Sequence, residues 1–273
     1  MMPERKFRAS SRASLASAAL ALALLLISAA GAAQSRHPGR GASPKPAAVV
    51  ADPPAPFKVG ELLNYRVGWS TFSSAATVEL SVAERRDLYG WNTFHLRALA
   101  HTLNPVRSLF VIDDQFDSYS DAQNLASRQY EMYLHELGKT KTSVYHLTQP
   151  GAPPRGEGPS VIVLPGTLDP LGVLYAIREA DWQRVPQLSA LVFDGHEVYQ
   201  MQAHREASGE SVSVAAGNFS ATRIAIRVFQ NGEEVPDTDF RLWLAHDSAR
   251  TPVLLEATLP FGTLRIELTS AHE

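Results

Sequence analysis

Residues 76–82 read Ala-Thr-Val-Glu-Leu-Ser-Val, so that apolar and polar side chains alternate at every position. A strand points successive side chains to opposite faces, and this stretch therefore predicts a strand with one buried face and one wet face. Antiparallel sheets can leave one face in water, whereas parallel sheets rarely do. The same period of two recurs along the chain, at residues 63–69, 94–101, 223–228, 240–244 and 264–269. The pattern predicts a mainly β protein with about ten to twelve strands in an antiparallel sheet.

Turn signals separate these runs, as a sheet of antiparallel strands requires. Glycine follows a turn-forming or exposed residue at Tyr89-Gly90, Ser208-Gly209 and Asn231-Gly232. The pair Asp194-Gly195 lies between two short apolar runs that end at Phe193 and begin at Val198. Because Asp-Gly accepts the backbone conformation of a two-strand reversal, this pair predicts a tight hairpin.

One segment breaks the alternation and predicts a short helix over Asp169–Glu179. Asp169 is a good N-cap residue and Pro170 suits the first helical position. Leu171, Leu174 and Tyr175 then follow with helical spacing. One helix cannot cover so many half-apolar strands, so the sheet must curl or leave a groove. We therefore expect a large curved antiparallel sheet, an open half-barrel, around this helix on its concave side.

The first 33 residues predict a secretory signal peptide. A basic start with Arg5 and Lys6 precedes an uncharged, apolar stretch centred on residues 21–27, and small residues follow at 30–33. The uncharged stretch is also long enough for an uncleaved membrane anchor, which is the alternative. Residues 34–56 are rich in Pro and Ala and predict a disordered tether. The third predicted region, residues 57–273, is a single β-rich domain.

Composition excludes several classes of protein. Without residues 1–33, which hold four basic and one acidic residue, 21 Lys and Arg face 27 Asp and Glu, a formal charge of −6. This balance argues against a nucleic-acid partner. The chain has no Cys, which removes disulfides, thiol nucleophiles and acylation at a lipobox cysteine. No later apolar run is long enough to cross a membrane, so we expect no transmembrane span in the mature chain.

Familiar catalytic motifs are incomplete in this sequence. The pairs His135-Glu136 and His196-Glu197 begin a zinc-protease motif, but Lys139 and Gln200 stand where the second histidine is needed. The chain also contains no Gly-x-Ser-x-Gly nucleophile elbow. The sequence therefore assigns no catalytic residue and no cofactor.

An acidic cluster at Asp113, Asp114 and Asp117 is the most prominent polar feature. Asp113 and Asp117 share one face of a predicted strand and are weak candidates for binding a hard cation or for paired-acid hydrolysis. Asp114 lies on the opposite face. The competing interpretation is a solvated strand face whose carboxylates pair with arginines on a neighbouring strand.

Large aromatic side chains are the candidates for an apolar ligand site. Phe240, Leu242 and Leu244 form an apolar strand face, and Trp243 lies on the opposite face of the same strand. A large apolar group on both faces indicates a strand covered on both sides or a ligand-facing surface. Together with Trp69 and Tyr175, Trp243 forms the predicted ligand-binding set. Ordinary packing under the helix or a loop is the alternative.

With these residues in view, the chain resembles a family of exported bacterial proteins of unknown function, the DUF3108 domain family. The likeness follows the chain in order, through residues 57–67, 109–119, 169–175, Val192-Phe193-Asp194-Gly195, 252–257 and Pro260-Phe261-Gly262. The resemblance implies a signal peptide and one β-rich envelope domain, and it supplies no catalytic residues. The expected half-barrel is also similar to the periplasmic lipoprotein carriers of the LolA/LolB type, which is an analogy of fold alone.

Three functions follow as hypotheses. The first is a non-enzymatic protein of the periplasm, or a secreted one, that binds a lipid, a lipoprotein acyl chain or an envelope protein partner. The second is an envelope hydrolase that uses the acidic cluster, with or without a divalent cation. The third is a structural scaffold whose concave face is filled by its own side chains.

Overall fold

The structure is a computed structural model, and it describes residues 55–153, 156, 160–259 and 262–272. The predicted signal peptide, residues 1–33, lies outside the described residues. The predicted tether does so too, except for its last two residues.

Fourteen strands of the described chain form one sheet. Along the sheet their order is β7-β6-β5-β4-β3-β2-β1-β14-β13-β12-β10-β9-β8, and β11 pairs with β10. Their bounds are β1 (Leu62–Trp69), β2 (Phe72–Leu88), β3 (Trp91–Thr102), β4 (Asp113–Asp121), β5 (Ser127–Glu136), β6 (Lys139–Thr148), β7 (Ser160–Ile162), β8 (Gln187–Phe193), β9 (Val198–Val214), β10 (Gly217–Gln230), β11 (Glu233–Glu234), β12 (Asp239–Ala245), β13 (Pro252–Leu259) and β14 (Gly262–His272).

The predicted fold class is confirmed: the protein is mainly β, with a large open sheet and one short α-helix among the described residues. The expected number of strands was too low because β7 and β11 are only three and two residues long. Strands that short carry no period-two pattern. Neighbouring strands are antiparallel throughout, except that β6 and β7 run parallel.

The two edges of the sheet are joined by the chain segment that follows β7. Val163 continues from β7 and its N–H donates to Thr148 on β6, at 2.8 Å. Leu168 then forms an isolated parallel bridge to Val192 on β8. Across this join the rings of Tyr145 and Phe193 lie 5.2 Å apart. The sheet is therefore rolled, with its edge strands brought together without a continuous ladder between them.

The predicted helix is present as α1 (Pro170–Glu179), and it packs against β3, β4 and β8. Asp169 caps it as predicted, because its carboxylate accepts from the Gly172 N–H at 2.8 Å. The same carboxylate accepts from Ser118 at 2.5 Å and Ser127 at 2.6 Å, which ties the helix to β4 and β5. No residue of α1 is exposed, so the helix lies inside the rolled sheet.

The hairpin predicted at Asp194-Gly195 is confirmed, with β8 ending at Phe193 and β9 beginning at Val198. The Asp194 carboxylate accepts from two backbone N–H groups of the turn, at 2.7 and 2.8 Å. Gly195 has a φ of +98°, a conformation that favours glycine. The turn thus follows from its sequence.

Candidate functional site

The acidic cluster is divided between the two faces of β4. Asp113 lies on the outer face, where Arg107 donates to both of its oxygens at 2.7 Å and His101 Nδ1 lies 3.0 Å from Oδ1. The hydrogen bonds from Arg107 hold the pKa of Asp113 well below its usual range. This carboxylate is therefore engaged by its own neighbours.

Asp114 points to the inner face and is buried. Its Oδ1 accepts from the His135 N–H at 2.8 Å, and its side chain also hydrogen-bonds with Glu136. Burial raises the pKa of Asp114 to about 7, and the adjacent Glu136 carboxyl adds to that effect. The interpretation as a solvated strand face is wrong for this residue.

Asp117 lies on the outer face and is also buried, so the solvated interpretation is wrong there too. It accepts from Arg97 at 2.8 Å and from Gln115 at 2.5 Å, and His95 Nε2 lies 2.5 Å away. Burial raises the pKa of Asp117, but the hydrogen bonds from these three partners lower it overall. The predicted pairing with an arginine on the neighbouring strand is confirmed by Arg97 on β3.

The three aspartates thus do not converge on one point. Asp113 and Asp117 each form an ion pair with an arginine on the outer face, and Asp114 lies on the inner face. Within the described ranges, no group of three or more His, Asp or Glu side chains is placed to hold a metal ion. The arrangement supports cross-strand ion pairing.

Tyr175 lies at the centre of the packed interior. It is 1% exposed, and its ring meets that of Phe57 at 4.7 Å. Arg178, one turn further along α1, is fully buried and donates to both carboxylate oxygens of Glu61 at 2.7 Å. Burial raises the pKa of Tyr175 well above its usual value, in spite of the nearby Arg178. The helix and these side chains pack within the space that the sheet encloses.

Trp243 lies on the outer face of β12 and is nevertheless buried. Its indole N–H donates to Glu210 of β9 at 2.9 Å, and the Arg223 guanidinium lies 6.0 Å from its ring. The strand is therefore covered on both sides, which is one of the two arrangements that the sequence indicated. Trp243 and Tyr175 are on opposite faces of the sheet.

Trp69 occupies a third place, at the end of β1. It is partly exposed, and its ring lies 6.2 Å from that of Phe110. Its indole nitrogen is buried and has no hydrogen-bond partner within the described part of the chain. The three residues predicted to form a ligand site are thus separate, and their binding role stays a prediction.

Around Trp69 the structure exposes a set of apolar side chains that we call the apolar rim. It consists of Trp69, Phe72, Leu109, Phe110 and Leu137. The exposed fractions are 69% for Leu109, 62% for Leu137, 44% for Phe110 and 37% for Phe72. Soluble proteins seldom expose several large apolar side chains side by side without a use for them.

The rim is continuous because three neighbouring strand connections supply it. Trp69 and Phe72 flank the β1–β2 turn, Leu109 and Phe110 belong to the β3–β4 connection, and Leu137 belongs to the β5–β6 turn. The Leu137 N–H donates to the carbonyl of Val111 at 3.0 Å, which fixes the β5–β6 turn beside the β3–β4 connection. These connections all lie at the same end of the sheet.

An open groove beside the rim has polar walls. It has a volume of about 460 Å³ and borders the rim at Phe72. Most of the charged side chains that line it are ion-paired with each other. Arg66 donates to Glu267 at 2.7 Å, and Arg265 pairs with Glu256 and with Glu267. A second cavity of about 90 Å³ lies near Trp91 and Arg128. Neither cavity is lined by Tyr175 or Trp243.

The sequence pattern does not identify the rim residues other than Trp69. Leu109, Phe110 and Leu137 lie in connections between strands, where side chains follow no period, and Phe72 stands at the very start of β2. A usable signal was present at Leu137-Gly138, where a large apolar residue stands in front of a turn glycine. At Leu109-Phe110 the sequence holds no such signal, and the exposure of the two side chains is seen only in the structure.

Comparison with known proteins supports the fold and the family. The sequence profile of a family described as a protein of unknown function, DUF3108, matches residues 64–269. No curated protein matches the chain. Within the described residues, no helix combines the length and the apolar character that crossing a membrane requires.

Several solved structures are similar to this chain. A beta-barrel-like protein of the domain of unknown function DUF1849 from Brucella abortus is 12% identical with a TM-score of 0.51, and the match covers 78% of this chain and 97% of that one. A "putative lipoprotein" from Parabacteroides distasonis is 10% identical with a TM-score of 0.39, and the match covers 81% and 100%. The Brucella structure shows a shared fold, and at this identity it shows nothing further.

Proposed function

We propose that this chain, which belongs to the DUF3108 family, is a non-enzymatic exported protein of the bacterial envelope that binds acyl chains on its apolar rim. The site lies outside the rolled sheet, at one end of it. The proposal keeps Trp69 from the predicted ligand set and leaves out Tyr175 and Trp243. It also takes residues 1–33 as the signal that directs export to the periplasm or beyond.

One contrast carries the proposal: the side chains inside the sheet are packed against each other, whereas those of the rim are exposed to solvent. Tyr175 and Arg178 are buried at the centre of the fold, and the residues of α1 are all buried or half-buried. An acyl chain would have to displace this packing to enter, which costs several kcal/mol for each large side chain that is moved. On the rim, by contrast, Leu109 and Leu137 are already exposed, and covering them with an apolar partner is favourable.

The hydrolase hypothesis has less support. A general acid or base must reach the atom whose proton it transfers. Asp113 is occupied by Arg107 and His101, and Asp117 is buried among three partners. The scaffold hypothesis remains the competitor, because it explains the filled interior but gives no reason for the exposed rim.

Uptake of a fluorescent fatty acid by the chain from Gln34 to Glu273 tests the proposal. All described strands and α1 lie within this form. We expect saturable uptake that falls at least about tenfold in a variant with Leu109→Ser and Phe110→Ser, since each lost contact is worth on the order of 1 kcal/mol. Tyr175→Phe, which removes only a buried hydroxyl, should leave uptake unchanged.

The same preparation, extracted and examined by mass spectrometry, should contain co-purifying lipid. Protein that carries no lipid and takes up no fatty acid would favour the scaffold hypothesis. Uptake that survives the rim substitutions would place the acyl chain elsewhere.

A further inference from the structure

We propose that the partner of the apolar rim is the surface of an anionic phospholipid bilayer, into which Leu137 inserts with Lys139 and Lys141 beside it. The inference rests on the proposed function, since it names the acyl chains as those of an intact membrane leaflet. It also assigns a specific role to the β5–β6 turn.

The backbone at Leu137 gives the first argument. Leu137 has a φ of +49° and the following Gly138 a φ of +76°. Asn231 and Gly232 adopt nearly the same values, +53° and +84°, in the β10–β11 turn. Asparagine tolerates this left-handed conformation well, whereas a leucine there is strained. The folding of the turn therefore gives no reason for a leucine at position 137.

Exposure gives the second argument. Leu137 is 62% exposed, so that packing within the protein does not compensate for the strained backbone. Strained residues that persist in a fold are commonly associated with function. A leucine at the tip of a turn gains most when an apolar phase outside the protein covers it.

The neighbours of Leu137 suit the interface of a membrane. Leu109 and Phe110 project from the next connection, and Trp69 lies against Phe110. Interfacial segments bury such apolar groups about 5–10 Å into the boundary between headgroups and acyl chains. Aromatic side chains such as Trp69 are favoured at headgroup level. Three adjacent connections would therefore enter the leaflet together.

The charges beside the tip are positive. Lys139 is exposed and Lys141 is half-buried, and neither forms an ion pair with another described residue. The nearest acids are engaged: Glu136 hydrogen-bonds with Asp114, and Asp113 is held by Arg107. Lysines near an anionic leaflet are attracted to it, by about 1 kcal/mol each. The tip thus presents two lysines to the headgroups, although Glu136 lies opposite Lys139 in the β5–β6 ladder.

A bilayer fits these features better than a single extracted acyl chain. The groove beside Phe72 is lined mainly by charged and polar side chains, and the cavity near Trp91 holds only about 90 Å³. The rim itself is a set of protruding side chains and not a pocket. Protruding side chains that bind one acyl chain are covered only in part, whereas insertion into a leaflet surrounds them with many acyl chains.

Vesicle sedimentation tests the inference, with vesicles made of equal parts of phosphatidylcholine and phosphatidylglycerol. The chain from Gln34 to Glu273 should bind them, and Leu137→Asn should bind about 5–10-fold more weakly because a leucine side chain is no longer buried. Since asparagine suits this turn, Leu137→Asn should unfold at the same or a higher urea concentration than the unchanged chain.

Leu164→Asn is the matched control. Leu164 is 59% exposed, close to the value for Leu137, but it follows β7 at the opposite end of the sheet, about 30 Å from the β5–β6 turn. The same chemical change there should leave vesicle binding unaltered. An equal loss from both substitutions would contradict insertion at the rim.

Charge provides a second arm. Lys139→Gln combined with Lys141→Gln should weaken binding by about 10–30-fold, and vesicles of phosphatidylcholine alone should bind the unchanged chain weakly. If neither the lysine substitutions nor the loss of phosphatidylglycerol weakens binding, the role proposed for the lysines is wrong. If the rim takes up fatty acid but no vesicle binds, the proposed function stands and this inference fails. If the chain neither takes up fatty acid nor binds vesicles, the proposed function and this inference are both wrong.

Discussion

The guanidinium of Arg178 donates to both carboxylate oxygens of Glu61 at 2.7 Å, in a site that is closed to solvent. Arg178 belongs to α1, and Glu61 lies immediately before β1. The guanidinium also donates to the carbonyl of Ala249 at 3.0 Å and lies over the ring of Tyr175 at 4.9 Å. The pair therefore fastens the helix to the start of the sheet.

Removing one member of this pair should be strongly destabilising. Glu61→Gln leaves the Arg178 charge buried with a weaker partner, and such changes cost about 3–5 kcal/mol. We expect the free energy of unfolding, measured by urea titration, to fall by that amount. Arg66→Gln is the control, because Arg66 pairs with Glu267 at 2.7 Å while 43% of its side chain is exposed. Its cost should stay below about 1 kcal/mol.

If Glu61→Gln acts through the uncompensated charge, adding Arg178→Met should restore part of the stability. A double variant that is less stable than either single variant would argue instead that packing around Tyr175 is what the pair maintains.

The cap at Asp169 should be worth more than an ordinary N-cap. Replacing a capping aspartate by alanine costs about 0.5–2 kcal/mol. Asp169→Ala would also leave the hydroxyls of Ser118 and Ser127 without their acceptor in a buried site. We therefore expect a loss of more than about 2 kcal/mol in urea titration. Asp181→Ala, which removes an exposed contact to the Gln183 N–H, should cost less than about 1 kcal/mol.

The sequence predicted those parts of the fold that depend on local patterns. The alternation in residues 76–82 reports the burial of each side chain directly, and the cap at Asp169 is a local hydrogen bond. The joining of the sheet edges was not predictable in this way. It depends on one bridge between Leu168 and Val192, and a single paired residue leaves no periodic signal.

The candidate site was less predictable than the fold. The strand period assigned Asp113 and Asp117 to one face correctly, but the burial of Asp117 comes from His95 and Arg97, which lie some twenty positions earlier in the chain. Leu137 was missed for a different reason, although the glycine after it marks a turn. Its importance lies in its exposure and backbone conformation, and neither can be inferred from residue type alone.

Asp114 should make stability depend on pH in an unusual direction. Its pKa is about 7 in the folded chain, against an ordinary value of 3.8, because of burial and the neighbouring Glu136. Between these two values the folded chain binds more protons than the unfolded chain, so this group's contribution to stability falls as pH rises. Asp114→Asn keeps an acceptor for the His135 N–H and removes the charge. We expect the free energy of unfolding of the variant, relative to that of the unchanged chain, to be higher at about pH 8 than at about pH 5.

Asp113→Asn is the matched control for this titration. The pKa of Asp113 is lowered by Arg107, so its stabilisation is present above the ordinary aspartate pKa and is lost only as pH falls below it. This substitution should lower stability by a similar amount at about pH 5 and about pH 8. If Asp113→Asn, and not Asp114→Asn, changes how the free energy of unfolding varies between about pH 5 and about pH 8, then Asp113 is the carboxyl with the raised pKa.

A substitution at Gly195 tests whether the rolled sheet brings the β8–β9 turn against β5. A Cβ at this position would lie 2.5 Å from Cε of Met132, so the β8–β9 turn presses against β5 although the two strands are far apart in the order of the sheet. Gly209 has a similar backbone, with φ of +77° against +98°, but a Cβ there would meet nothing within 4 Å. Gly209→Ala therefore measures the backbone cost alone, about 1–2 kcal/mol.

Gly195→Ala should cost about 1 kcal/mol more than Gly209→Ala, because Met132 must move as well. Met132→Ala makes room for the new methyl group, and it should therefore couple with Gly195→Ala in a double-mutant cycle of unfolding free energies. It should add to Gly209→Ala without coupling, since those positions share no contact. If the cycle with Gly195→Ala is additive as well, the turn does not bear on β5 in solution. The edges of the sheet would then be further apart than the Leu168 bridge implies.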